Sequence, residues 1–286
     1  MPVDVLSVTV RALSFLTLFQ AAGIALFLAL AGPELPDTGP TLRRIGSLAA
    51  LSAAVFIIAQ YLLEAARMSG ELGGVLDPTL QGILLRSAAS ATLFSRLLGL
   101  LLIMAGLRGR GGGGRTVGII GIVTLLTSFT FVGHTSQGPL HWLLSPLLFA
   151  HVCVVAFWYG SLLPLSLVSS REPPATAASI VEKFSARAIW LVPALFLAGL
   201  ILAVMLLPDL AALHRPYGEL LLTKVSGFGA LMLLASLNRW RFGPALRRGE
   251  LAAGRRFRCT VVMEFALLAT ILCVTAVMTS LYSPDG

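Results

Sequence analysis

The sequence predicts an all-α protein, a polytopic membrane helix bundle of about eight transmembrane helices. Three observations predict it: 57% of the 286 residues are hydrophobic, only 12% are charged, and the mean hydropathy is +0.89. Soluble domains carry about 25% charged residues, so this chain has too little polar surface to cover a globule in water. A bilayer solvates such a chain, and helices then satisfy the polar backbone.

Eight apolar segments reach the length of about 20 residues that spans a bilayer. Charged residues, Gly and Pro separate them, and Gly138, Pro139 and Pro146 interrupt the chain between the fourth and the fifth. The first segment ends in a pattern that resembles a signal-peptidase site, but its length predicts a retained helix. We expect one integral membrane domain over residues 1–286. The segments lie near residues 11–31, 44–66, 82–107, 116–134, 144–168, 186–207, 219–240 and 259–281.

Basic residues are distributed unequally between the two sides of the predicted bundle. Alternate connections place fifteen on one side and five on the other, and an excess of Lys and Arg marks the cytoplasmic side. We therefore expect a bacterial inner-membrane protein with both termini in the periplasm. Topology explains the net charge of +8, so we expect the lipid bilayer and not nucleic acid as a partner. The fifteen are Arg43, Arg44, Arg108, Arg110, Arg115, Arg171, Lys183, Arg187, Arg239, Arg241, Arg247, Arg248, Arg255, Arg256 and Arg258; the five are Arg11, Arg67, Arg86, Arg215 and Lys224.

The connection between the third and fourth predicted spans is rich in glycine. Residues 109–116 read GRGGGGRT, which is close to a phosphate-binding loop with Arg115 in place of lysine. That loop needs a strand before it and a soluble helix after it, whereas membrane helices are predicted on both sides here. We therefore expect a flexible cytoplasmic connector.

One charge is predicted deep in the membrane. Arg96 lies near the middle of the third span, where a charge costs about 2.5–3.5 kcal/mol on insertion scales, so it should face the bundle and have partners there. Glu264 in the eighth span is the predicted counter-charge, and Gln60 and Glu64 in the second span are alternatives. Both an ion pair that orders the helices and a role in moving ions are open interpretations.

All four histidines fall at or near the predicted outer side: His134, His141, His151 and His214. Imidazole binds copper, zinc and haem iron, and it also transfers protons near neutral pH. His151 shares a helix face with Trp158, because the two residues are seven positions apart. We expect His141 and His214 to lie in loops.

His134 and His151 form the best metal-binding pair, because they can face each other across adjacent antiparallel helices. If one helix ran through 141–151, His141 and His151 would lie about 15 Å apart, too far for one shared ion. Thioether sulfur suits Cu(I), so methionines near the outer helix ends are candidate further ligands. Hydrogen-bonded structural histidines are the alternative. The predicted metal-site residues are His134, His151, His141, His214, Met205 and Met278.

Four short stretches carry a pattern typical of one family. They read VGHTS (132–136), HVCVVAFWYGSLLPLSL (151–167), KFSARA (183–188) and YGELLLTKVSGFGALMLLASLNRW (217–240). In this order they resemble the copper resistance protein D family. The second stretch departs from that family at residues 159–161, Tyr-Gly-Ser, where Leu-Gly-Gly is more usual. The resemblance covers residues 130–245, and the first 110 residues agree by hydropathy alone.

The resemblance implies an inner-membrane protein that handles copper, works with a periplasmic copper-binding partner and moves copper inward. It assigns His134 and His151 to the copper site, and it gives Tyr217 and Lys224 as family-pattern positions without an assigned role. We therefore expect an inner-membrane copper-binding protein that transports copper and is not an enzyme. A membrane b-type haem or redox protein with paired histidines is the alternative. A membrane component whose histidines are structural is a third possibility.

Overall fold

The computed structural model describes residues 2–109, 111–133, 139–207, 209–248, 250 and 252–282. These residues form helices and short connections and contain no β-strand. Among these described residues, eight helical segments are long and apolar enough to cross a membrane, which confirms the predicted all-α bundle. The α-helices are α1 (Pro2–Ala31), α2 (Gly39–Ser69), α3 (Pro78–Leu85), α4 (Ala88–Arg108), α5 (Gly111–Thr127), α6 (His141–Arg171), α7 (Pro174–Leu206), α8 (Pro216–Leu237), α9 (Gly243–Arg247) and α10 (Ala253–Leu281).

The spanning helices alternate in direction, so the bundle has two distinct ends. We call the end where α1 begins and α10 ends the terminal end, and there the Arg11 guanidinium donates a hydrogen bond to the backbone carbonyl of Thr279. We call the opposite end, where α1 ends and α2 begins, the basic end. There the Lys183 ammonium lies 2.7 Å from the Glu34 carboxylate. The connections that carry most of the basic residues are at this second end.

α1 lies at the centre of the bundle and packs against α2, α6 and α10. It comes very close to α6 where Gly23 meets Gly160. A Cβ atom added to either glycine would lie 2.3 Å from the Cα of the other. Only residues without a side chain let two helix backbones come this close, and such contacts are typical of membrane helices. One turn earlier, the Gln20 amide donates a hydrogen bond to the Gly160 carbonyl across the same contact.

The glycine-rich segment belongs to helix packing, so the predicted flexible connector is wrong. α5 begins at Gly111, and the segment joins α4 and α5 into an antiparallel hairpin. Close backbone contacts hold this hairpin: a Cβ on Gly109 would lie 2.7 Å from the Cα of Gly114, and a Cβ on Gly106 would lie 2.6 Å from the Cα of Gly118. In a membrane, a run of glycines favours helix contact as readily as chain flexibility.

α8 packs mainly against α10 and leaves a space on the side that faces α7. This space is a cavity of about 380 Å³ between α7 on one side and the end of α8 with α9 on the other, and α6 and α10 form its inner wall. After Leu237 the helix widens into a single π-helical turn, Asn238–Phe242, which leads into α9. π-turns of this kind occur frequently at functional sites.

Candidate metal centre

His151 lies on α6, half-buried against α7. Its ring faces Gly199, where a Cβ atom would lie 3.2 Å from the imidazole Cε1, so the absence of a side chain there makes room for the ring. The ring approaches the backbone carbonyl of Leu195, and Lys224 of α8 is near enough to interact with it electrostatically. Its Nδ1 atom is buried and has no hydrogen-bond partner. A buried polar atom of this kind is unusual and is available to a ligand.

The structure does not bring the predicted histidines together at one point. His134 lies outside the described residues. His141 and His151 belong to the same helix, so their ten-residue separation corresponds to about 15 Å along the axis and excludes one shared ion. His214 is exposed and ends a short 3-10 helix between α7 and α8.

His141 is the first residue of α6, so its predicted place in a loop is wrong. The sequence predicts a fifth span over residues 144–168, with Gly138, Pro139 and Pro146 interrupting the chain between it and the fourth. The helix instead continues through Pro146, since membrane helices tolerate proline within them when other groups satisfy the freed backbone. The His141 side chain is exposed at the helix start.

The two predicted thioether ligands differ in their surroundings. Met205 lies on α7 with 48% of its surface exposed, so it points away from the bundle interior. Met278 lies on α10 near the terminal end and is buried. Within the described ranges, no group of three or more His, Cys, Asp or Glu side chains is placed to hold a metal ion. A copper site at His151 therefore needs ligands of another kind, or ligands from outside these ranges.

Aromatic rings from three helices pack together further along α6, two turns after His151. The Trp158 ring meets the Phe228 ring of α8 edge-on at 6.2 Å, and Phe228 stacks on Phe196 of α7 at 5.3 Å. The stacked rings of Phe196 and Phe228 join α7 and α8 at this level. Such aromatic pairs contribute about 0.5–1.5 kcal/mol beyond the area they bury.

A polar cluster lies on the cavity side of these rings, and Glu264 of α10 is its centre. Glu264 is only 3% exposed. Its Oε1 accepts a hydrogen bond from the Asn238 amide at 2.5 Å, and its Oε2 accepts one from Trp158 Nε1 at 3.4 Å. The Thr260 hydroxyl donates a hydrogen bond to the side-chain amide oxygen of Asn238. The sequence placed Asn238 in a family pattern but gave no sign that it meets Glu264.

Arg96 does not pair with Glu264, so that prediction is wrong. The Arg96 side chain is 6% exposed and its Nε donates a hydrogen bond to the Ser128 hydroxyl at 3.1 Å. Its guanidinium carbon lies 4.6 Å from the centre of the Phe129 ring, in a cation–π contact. Hydropathy predicts how deep each charge lies but not which helix face carries it. A hydroxyl and an aromatic ring take the place of the expected acid.

Glu64, an alternative partner for Arg96, is engaged at the terminal end of the bundle. Its carboxylate lies 2.9 Å from the Arg11 guanidinium of α1 and 3.5 Å from that of Arg67, three residues later on α2. Arg67 also donates a hydrogen bond to the backbone carbonyl of Ser280 on α10. This network ties α1, α2 and α10 together.

Two family models match the chain. Residues 178–278 match the model described as copper resistance protein D, and residues 1–142 match the model described as copper resistance protein D-like, N-terminal domain. The chain belongs to the copper resistance protein D family. It is therefore a multi-pass membrane protein of copper resistance. No curated protein matches the chain, and no solved structure does.

The matched regions differ from the extent of the resemblance found by motif. The first 142 residues match a family model, although the motifs had related the first 110 by hydropathy alone. Residues 143–177, which include His151, fall between the two matched regions. A role for His151 therefore rests on its own motif and geometry. Family membership supports a role for copper and gives no support to the haem alternative.

Proposed function

We propose that this member of the copper resistance protein D family binds copper at His151 and passes it across the bacterial inner membrane. The observation that carries the proposal is the buried Nδ1 of His151, which has no hydrogen-bond partner. Imidazole nitrogen is a good copper ligand, and within the described residues Nδ1 has no partner that a metal would have to displace. Gly199 has no side chain, so the imidazole ring packs directly against the backbone of α7.

The orientation of the bundle follows from its charges. The basic end is the cytoplasmic end and the terminal end is the periplasmic end, because positively charged connections remain in the cytoplasm. Copper therefore enters from the terminal end, where His141, His214, Met205 and Met278 lie near the ends of their elements. His134 is the proposed second imidazole of the site, and Met278 is the proposed sulfur ligand, since it is buried and sulfur suits Cu(I).

A periplasmic copper-binding partner delivers the ion. The chain carries no His-rich or Met-rich run and no block of acidic residues with which to capture free copper. Two imidazoles bind copper incompletely, so a ligand from the partner, or a mobile ligand of the chain, completes the site during transfer. Copper is the cargo in this scheme and leaves at the basic end.

The proposal is tested by Cu(I) binding to the purified full-length chain in lipid nanodiscs, measured by competition with a coloured chelator. We expect His151→Ala and His134→Ala each to abolish tight binding and copper-dependent uptake, with membrane abundance unchanged. His141→Ala should have a milder effect, because His141 lies about 15 Å from His151 along α6.

His214→Ala is the matched control, because it removes an exposed imidazole at the same end of the bundle. It should retain binding. Full binding and uptake in both the His151→Ala and the His134→Ala variants would show that the copper site lies elsewhere. A haem absorption band in the purified protein would instead favour the redox alternative.

A further inference from the structure

Glu264 is a buried acid within the membrane that the proposed copper site does not use. Its two hydrogen-bond donors, the Asn238 amide and the Trp158 indole, are both uncharged. A charge without a counter-charge is strongly disfavoured in a low-dielectric interior. Acids in such positions are rare in membrane helices and typically belong to proton or ion pathways.

The charged and titratable groups on the neighbouring elements contact other groups or lie at other levels of the bundle. Tyr159 of α6 stacks on Phe265, with ring centres 4.9 Å apart. Lys224 of α8 lies near His151, about 21 Å along the helix from Asn238. At the cavity, the Arg239 guanidinium donates to the Ser185 hydroxyl at 2.6 Å, and Arg247 of α9 lies 3.1 Å from Glu182 of α7. α1 contributes the uncharged Gln20, which is bonded to the Gly160 carbonyl, and its Arg11 is at the terminal end. In the part of the chain that the structure describes, Glu264 forms no ion pair with any of these groups.

Glu264 lines a cavity that reaches the basic end. The cavity has a volume of about 380 Å³, far more than one water molecule requires. Glu264, Asn238 and Trp158 lie on its inner wall, and Arg247 and Glu182 lie at its rim, where both side chains are exposed. The carboxyl group is therefore shielded from bulk solvent but borders a space that water can enter.

The protein backbone and a neighbouring hydroxyl orient the cluster. Asn238 is the first residue of the π-helical turn that ends α8. The side-chain amide oxygen of Asn238, Oδ1, accepts a hydrogen bond from the Thr260 hydroxyl. The amide NH₂ group is therefore directed at Glu264. Thr260 and Glu264 are four residues apart and share a face of α10. The hydrogen bond from Trp158 to Oε2 is longer than the one from Asn238 to Oε1, so Oε2 is the more weakly bonded oxygen of Glu264.

The chemistry of this cluster suits a proton better than copper. Its side chains offer carboxylate, amide, hydroxyl and indole groups, and the indole and amide N–H groups are donors that cannot bind a cation. Cu(I) prefers thiolate, thioether and imidazole ligands. Among the described residues, no His or Cys joins Glu264 in a group that could hold a metal ion.

We propose that Glu264 is a proton-binding site that takes up and releases its proton through the cavity at the basic end. In uptake, the Glu264 carboxylate and a hydronium ion from cavity water form the carboxyl group and one water molecule, with the new O–H bond on Oε2. Release reverses this step. Asn238 and Trp158 are positioning residues that hold the carboxyl group in both states. The inference does not depend on copper binding at His151.

Infrared difference spectroscopy of the full-length chain in lipid nanodiscs tests the proposal without any copper. Stepping the pH should produce a protonated-carboxyl C=O band that grows on acidification and shifts in D₂O, because the acidic hydrogen exchanges with cavity water. The band should be lost in Glu264→Gln. In Glu264→Asp it should return at a shifted frequency, which keeps the test valid if the Gln variant is poorly folded.

Glu172→Gln is the matched control, because Glu172 is also a buried acid near the basic end but accepts hydrogen bonds from Thr38 instead of lining the cavity. The Glu264 band should persist in this variant. As a second readout, a lipid-soluble carbodiimide should modify Glu264 in the wild type at low pH and progressively less as the pH rises. A Glu264 carboxyl group that shows no pH dependence in either measurement, or whose band does not shift in D₂O, would overturn the proposal.

Discussion

At the scale of single residues, Arg96 shows how a membrane helix can carry a guanidinium without an acid beside it. The Ser128 hydroxyl and the face of the Phe129 ring contact the charged group. Hydrogen bonds that involve a charged group contribute about 1.5–3 kcal/mol, and cation–π contacts about 0.5–2 kcal/mol. These contributions are similar in size to the cost of about 2.5–3.5 kcal/mol for a charge at that depth.

The favourable contacts of Arg96 and the cost of its charge in the membrane nearly cancel. Arg96→Met should therefore change the free energy of unfolding by no more than about 1 kcal/mol. Arg96→Met and Glu264→Gln should be additive to within about 0.5 kcal/mol, since they share no partner. Arg96 and Ser128 share a hydrogen bond, so a double-mutant cycle with Arg96→Met and Ser128→Ala is the matched comparison. Its expected coupling energy is above about 0.5 kcal/mol. Unfolding in mixed detergent micelles measures all three. A strong coupling between Arg96 and Glu264 would show that the two residues form an ion pair, contrary to the structure.

The sequence predicted part of the candidate site at this scale. It identified His151 by its place in a motif, and it identified Glu264 and Arg96 as buried charges by their depth. It could not identify their partners, because those depend on how each helix is rotated and on contacts between distant segments. The contact of Glu264 with Trp158 joins residues more than a hundred positions apart. Met205 was predicted from depth alone, and the structure places it on an exposed helix face.

At the scale of helices, hydropathy predicted the spans because the bilayer imposes a length that is visible in composition. Helix ends were less predictable. α6 begins at His141 despite Pro146, and α5 begins inside the glycine-rich segment. Glycine and proline mark turns in soluble proteins, but in membranes the same residues occur within packed helices. Contacts such as Gly23 with Gly160 can be recognised only once the helices are assembled.

The contact between α1 and α6 should tolerate no side chain. Gly160→Val should lower the stability of the folded protein by about 1–3 kcal/mol or more, because the added carbons overlap the backbone of Gly23. Gly229→Ala is the control, since a Cβ at Gly229 meets nothing within 4 Å and alanine favours the helix by about 1 kcal/mol. Thermal unfolding in detergent compares the two variants. Equal stability of the variants would show that the close contact is absent.

The ion pair between Arg11 and Glu64 should stabilise the packing of α1 against α2. A double-mutant cycle with Arg11→Met and Glu64→Gln should give a coupling of about 1.5–3 kcal/mol, because Arg11 is largely buried. The Lys183–Glu34 pair is the exposed counterpart, with 48% and 40% of the side chains accessible, and should couple by less than about 1 kcal/mol. High salt should weaken the exposed pair more. The reverse order of the two couplings would contradict the placement of Arg11.

At the scale of the whole molecule, the charge distribution predicts the orientation. The connection around residues 240–258 carries six arginines at the basic end, so we expect it in the cytoplasm. Cysteine variants at Arg248 and at Arg215, on opposite ends of the bundle, can be labelled with a membrane-impermeant maleimide in intact cells. Only the cysteine at position 215 should react before the cells are opened. Labelling of position 248 in intact cells would show that the bundle has the opposite orientation and that copper enters from the basic end.

The contact between Gly23 and Gly160 has a mechanical consequence for the whole molecule. Because the two backbones touch at this point, we expect α1 and α6 to move as one unit. α7 and α8 are separated by the cavity and meet through the rings of Phe196 and Phe228, which can change rotamer. We therefore expect any opening of the bundle to occur on the flank between α7 and α8, where it would separate the rings of Phe196 and Phe228.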